Sequence, residues 1–115
     1  MANVLVDTDV FIDHLRGAHE LHAGTHRLTY SVVTRAELFA GTTATGAVSH
    51  LLAPFREFPV DRAVAERAGR IRRDARLRLP DALIAATALE HGLHLATRNE
   101  TDFKPVAGLR LRALR

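Results

Sequence analysis

The stretch LPDALIAATALEHGLHLATRNETDF, residues 79–103, decides the fold. Pro80 sits where proline opens a helix, its fixed φ suiting the first turn. From Ala82 to Leu89 the chain is apolar nearly all round, and a helix of that kind is a buried one. Its small residues allow close approach to a sheet or to another subunit. The helix is expected to reach about Glu90, with Gly92 as its stop. Leu93 to Ala96 then reads as a short apolar strand.

The same alternation extends in both directions. Asn3 to Val6 is a buried first strand, and Val10 to Leu15 a short helix stopped by Gly17. Leu28 to Tyr30 is a second strand. Ser31 or Thr34 caps a helix to about Ala40, ended by Gly41. Gly46 to Phe55 is expected to be helical, with Pro54 blurring its end, and Glu57 to Val60 a strand. Asp61 caps the clearest helix, in which Val64, Ala68, Ile71 and Ala75 recur at helical spacing. Leu109 to Leu114 is expected to be a last strand. Short apolar strands alternating with helices predict an α/β fold with a mostly parallel sheet covered on both faces.

The 115 residues predict a single domain over 1–115, long enough for a real core. The absence of cysteine removes disulfides, thiolate nucleophiles and Cys-containing zinc sites, and fits a reducing compartment. No run approaches the ~20 apolar residues of a membrane span, and the N-terminal apolar run stops at Asp7, too short for a signal peptide. The expected location is the cytoplasm. The chain is basic through arginine, with Lys104 the only lysine. Arg62, Arg67, Arg70, Arg72, Arg73, Arg76 and Arg78 crowd one segment, opposed there only by Glu66 and Asp74. Such a segment is either a phosphate-tracking face or an ordinary solvated helix face.

Function is carried by four acids set in apolar or turn-forming surroundings: Asp7, Glu37, Asp81 and Asp102. Such carboxylates are costly unless paired, hydrogen-bonded or bound to a cation. Asp7 follows the first strand, Asp102 comes shortly after the strand Leu93–Ala96, and Asp81 lies in the first turn of the buried helix. Open α/β sheets bind ligands outside the carboxyl ends of their strands. Glu37 follows Val33 on a stripe read as inward, with Ala36 and Ala40. Four carboxylates meeting in one cleft repel one another without cations. Hard oxygen donors without His or Cys suit Mg²⁺, with Mn²⁺ as the alternative, and such ions serve phosphoryl chemistry. Each acid also has an ordinary reading: Asp81 as a helix-start charge, Asp102 as a turn residue, Asp7 as a cap, and Asp9 as an even better cap.

At these residues the chain resembles the PIN domains, specifically the VapC-type toxins of bacterial toxin–antitoxin modules. The resemblance rests on VLVDTDVFIDHLRG (4–17), SVVTRAELFAG (31–41), LPDALIAATALEHGLHLATRNETDF (79–103) and GLRLRAL (108–114). It implies a three-layer α/β/α fold, a metal-dependent endoribonuclease, a homodimer and a cognate antitoxin that blocks the site. Asp7, Glu37 and Asp81 match the family's firm acids, and the fourth position falls on Asp102 or on Asn99. Thr8 and Thr97 match small hydroxyl positions beside the acids. The implied mechanism has Asp7, Asp81 and Asp102 holding an ion, with Glu37 holding a second or orienting the attacking water. Arg98 or Arg72, Arg73 and Arg76 would hold RNA phosphates. Two departures stand out: position 9 is Asp where the family commonly has Asn or Ser, adding either a ligand or only a cap, and the segment 42–60 is short.

Other readings fit parts of the chain. A response-regulator receiver would use Asp7 and Asp9 as its acidic pair, Asp61 as phospho-acceptor and Lys104-Pro105 as its late motif. A chain ending in a strand opposes it, and Glu37 and Asp81 would have no role. A haloacid-dehalogenase phosphatase lacks an acid after Lys104. His19, His22 and His26 lack tight zinc spacing. A non-catalytic partner in a regulatory complex would leave the clustered acids unexplained.

Overall fold

The computed structural model describes residues 2–114. In chain order the elements are β1 (Asn3–Val6), α1 (Thr8–Leu15), β2 (Arg27–Ser31), α2 (Val32–Ala40), α3 (Thr45–Leu52), β3 (Arg56–Phe58), α4 (Arg62–Ala75), α5 (Leu79–Glu90), β4 (His94–Ala96) and α6 (Glu100–Phe103). The sheet order is β3-β2-β1-β4, and every pairing is parallel. Val4, Leu5 and Val6 are buried on both faces of the sheet, as a central parallel strand requires.

The period of two along β1 divides the core. Leu5 points into a cluster with Val64, Ala68, Ile84, Ala85, Leu95 and Phe103. Val4 and Val6 point the other way, among Phe11, Tyr30, Val48 and Leu52. The molecule is therefore the expected three-layer sandwich. Helices α4 and α5 pack together on the first side. The alanines of α5, buried from Ile84 to Ala88 with Ala82, permit that approach.

Several local expectations change. Helix α1 starts at Thr8, because Asp7 is its cap and accepts from the Thr8 N–H. Asp9, expected to be the better cap, lies in the first turn. In α2 the cap is Ser31, whose hydroxyl accepts from Val33 N–H, while Thr34 is buried inside the helix. Ala36 and Ala40 are exposed, so the buried stripe is Thr34 and Leu38 with Val33 partly covered. Helix α3 stops at Leu52, ahead of Pro54. Strand β3 ends at Phe58, one residue before Pro59, which has no N–H to give a ladder.

The expected final strand Leu109–Leu114 contracts to one parallel bridge, Leu95 to Leu111. Leu95 N–H donates to Arg110 carbonyl at 2.8 Å, and Arg112 N–H donates to Leu95 carbonyl at 2.9 Å. Its partner β4 is only three residues long and offers little more edge. Helix α6 was not anticipated; a single turn is too short to leave a periodic signal.

Candidate active site

In the order β3-β2-β1-β4, the chain leaves β1 toward β2 and later returns on its opposite side to form β4. Ligands of open α/β sheets bind at such a switch point, beyond the strand ends. Asp7 follows β1, Thr97 follows β4, and Asp7 N–H donates to Ala96 carbonyl at 2.8 Å, locking the two strand ends together. Beyond them lies a cleft of about 250 Å³ lined by Asp7, Thr8, Asp9, Ile12, Glu37, Arg78, Asp81 and Asn99.

Asp7 is 5 % exposed. One oxygen accepts from Thr8 N–H at 2.8 Å and the other from the Thr97 hydroxyl at 2.7 Å. Burial pushes its pKa up to about 7, the Asp9 charge adds to this, and the Thr97 and Thr8 hydrogen bonds pull it back only in part. Asp9 is also raised, first by burial, although Arg98 N–H opposes the rise. Two partly or wholly buried carboxylates held near each other constitute an unmet demand for positive charge.

Glu37 comes from the other side of the cleft. Helix α2 is fixed by its Ser31 cap, by buried Leu38, and by Arg35, which bridges Glu57 and the Tyr30 hydroxyl at 2.9 Å each. The Thr8 hydroxyl donates to Glu37 at 2.7 Å and lies 3.0 Å from the Thr34 hydroxyl. With the Thr8 proton committed to Glu37, Thr34 supplies the proton of the second bond. Asp81 sits in the first turn of α5, where the helix dipole favours it, with Arg78 at 3.5 Å.

The fourth position divides between two residues. Asn99 lines the cleft, and its amide donates to Asp102 at 2.6 Å. Asp102 is exposed in the first turn of α6 and is not among the lining residues. Arg98 donates to Asp13 at 3.1 Å, so its side chain is already engaged. Arg72, Arg73 and Arg76 line a separate groove with Gly69 and Leu77. Of the wall residues, Asp9 was open between ligand and cap in the sequence, and the position of the helix start decides that it lines the cleft. Arg78 was one of many arginines.

Among the described residues, no three His, Asp or Glu side chains converge tightly enough to enclose an ion as they stand. Each carboxylate leans on a neighbouring hydroxyl, N–H or guanidinium. The donor set nonetheless fits a hard divalent ion, since it is all oxygen and includes a buried acid destabilised by its own charge.

The chain belongs to the PIN domain family, whose model matches residues 4–109. It is 43 % identical to Ribonuclease VapC10 of Mycobacterium tuberculosis, over 87 % of this chain and 85 % of that protein. Among solved structures, a toxin–antitoxin complex from Klebsiella pneumoniae superposes with a TM-score of 0.80 at 32 % identity, covering 93 % of this chain and 95 % of that one. VapBC-5, a toxin–antitoxin system of Mycobacterium tuberculosis, gives 0.73 at 27 % identity, covering 100 % and 99 %. Membership displaces the receiver reading. The proposed phospho-acceptor, Asp61, is the cap of α4, accepting from Val64 N–H at 2.9 Å, and is not a cleft residue.

Proposed function

We propose that this chain is a VapC-type toxin: a divalent-metal-dependent endoribonuclease, held in check by a cognate antitoxin. The observation that carries the reading is the convergence of Asp7, Asp9, Glu37 and Asp81 on one cleft at the sheet's switch point. Kinship with a named ribonuclease and with toxin–antitoxin complexes supplies the substrate class and the partner. Among the described residues no helix is long and apolar enough to cross a membrane, and we place the toxin in the cytoplasm, as a single domain that pairs into a homodimer.

Asp7 and Asp81 would hold Mg²⁺ or Mn²⁺, with Asn99 completing the fourth position directly or through water and Asp102 holding the Asn99 amide in place. A bound divalent ion supplies charge to the scissile phosphate and lowers the pKa of water. Thr97 and the Thr8 N–H keep Asp7 aimed into the cleft. Glu37, steadied by Thr8, accepts the proton of the attacking water. The new P–O bond forms in line with the breaking one, and the departing ribose oxygen takes a proton from solvent. Asp9 adds charge to the Asp7 wall.

The test is cleavage of total cellular RNA by the purified, antitoxin-free protein with Mg²⁺, Mn²⁺ or EDTA, beside Asp7→Asn and Asp81→Asn. Discrete fragments that need metal and vanish in both folded variants are expected. Undiminished cleavage in both variants would sink the reading.

A further inference from the structure

Gly69, Arg72, Arg73 and Arg76 stand at i, i+3, i+4 and i+7 of α4 and its cap, so they share one face of the helix. Together with Leu77 they line a groove of about 410 Å³ with no carboxylate among its lining residues. A Cβ added at Gly69 would meet nothing within 4 Å, so the glycine leaves open space on the arginine-bearing face of the helix. Arg76 has φ 60, the left-handed conformation in which glycine is the usual residue. An arginine thus stands where glycine would be less strained.

The groove is separate from the acidic cleft, and Leu77 and Arg78 are the step of chain from one to the other. Leu77 is buried and turns inward, and Arg72 donates to its carbonyl at 3.0 Å. Arg76 and Arg78 on either side of it are exposed. Arg78 is the sole basic residue among those lining the acidic cleft. Two residues of chain, at most about 7 Å, separate the last groove arginine from the cleft arginine. Of the four, Arg73 is drawn to Asp74 at 3.1 Å through an exposed, weak pair, and the exposed Arg78 reaches the half-buried Asp81 at 3.5 Å.

We propose that the Gly69/Arg72/Arg73/Arg76 face of α4 is a backbone-binding track for single-stranded RNA, and that Arg78 hands the strand from it into the acidic cleft. The proposal rests on the ribonuclease reading and adds the path of the flanking strand. Guanidiniums lining one groove match phosphate oxygens and carry no base code, so the track is sequence-tolerant.

The test uses the full chain carrying Asp7→Asn, so that RNA is not cut, and a fluorescent 12-nucleotide oligouridine. Binding is followed by anisotropy from 50 to 300 mM KCl. Two substitutions keep the fold out of the result. Gly69→Glu puts a carboxylate on that face without a clash, and Arg76→Gly relaxes the helix end, so neither should lower the melting temperature. Each is expected to weaken binding at least fivefold, whereas Gly69→Ala leaves it unchanged. Replacing Arg72, Arg73 and Arg76 together by Gln should reduce the slope of log K against log salt by about 2, at roughly 0.7 for each lost phosphate contact. Affinity and slope unchanged in all of these, or no binding by the parent, would overturn the track. So would loss of binding to a polyglutamate peptide and not to RNA. Metal-dependent cleavage of cellular RNA by the protein with Asp7 intact, measured alongside, reports separately on the ribonuclease reading.

Discussion

The Thr97 hydroxyl lies 2.7 Å from Asp7, a residue 90 positions away in the chain. It also lies 3.2 Å from Asp9 and accepts from Asn99 N–H at 3.0 Å. One hydroxyl at the end of β4 thus orders the acids at the end of β1 and the loop that presents Asn99. Its single proton goes to the shorter contact, with Asp7.

Thr97→Val keeps the shape and removes that proton. Loss of a buried hydrogen bond to a charged group costs about 2 kcal/mol. A supporting residue behind a metal-binding carboxylate typically commands about 10–100-fold in metal affinity or activity. The variant is expected to fold, melt several degrees lower, and bind Mn²⁺ at least tenfold more weakly by calorimetry. Wild-type Mn²⁺ affinity would show that Thr97 is only structural.

Metal-free stability should fall as pH rises through neutrality. Asp7 has an ordinary pKa of 3.8 and one of about 7 when folded, so the folded state binds the extra proton between these values. Stability therefore declines from about pH 4 upward and levels off above about pH 8, by up to roughly 4 kcal/mol from this group. The raised pKa of Asp9 acts in the same direction. In EDTA, the protein should melt higher at pH 6 than at pH 8. Asp7→Asn should flatten the difference and raise the melting temperature at pH 8. A wild-type melting temperature that climbs from pH 6 to pH 8 would contradict the assignment.

Asn99 and Asp102 separate by position. Asn99 faces the cleft and Asp102 stands behind it as acceptor of its amide. Asn99→Ala should reduce cleavage more than Asp102→Ala, because the second change releases an amide that remains in place. Equal losses, with parallel losses of Mn²⁺ affinity, would show that both side chains reach the ion.

Asp61→Ala removes the α4 cap and should cost about 1 kcal/mol in denaturant unfolding. Cleavage should be unchanged, and the wild-type chain should take up no label from acetyl phosphate at Asp61. Labelling there would revive a receiver-like activity.

Much of this was legible in the chain. The all-round apolar run from Ala82 to Leu89 required a buried helix, and the short apolar strands between helices required a parallel sheet. Asp7, Glu37 and Asp81 were visible because isolated acids in apolar surroundings need a partner. The closing strand misled: its alternating Leu and Arg satisfy a strand pattern, but pairing depends on how much edge β4 offers.

Sequence by itself determined the layers, the central strand and the three acids Asp7, Glu37 and Asp81 that meet in the cleft, because burial periodicity and the cost of desolvating charge are local properties. Tertiary structure alone decided the wall of the site. Whether Asp9 caps or lines the cleft turns on a helix start moved by two residues. Arg78 is distinguished from its neighbouring arginines only by the turn through Arg76 and buried Leu77. The order of the fourth position, Asn99 before Asp102, depends on a loop pinned by a hydroxyl that also holds Asp7. Such choices depend on side chains distant in sequence meeting within hydrogen-bond reach, and no local pattern encodes them.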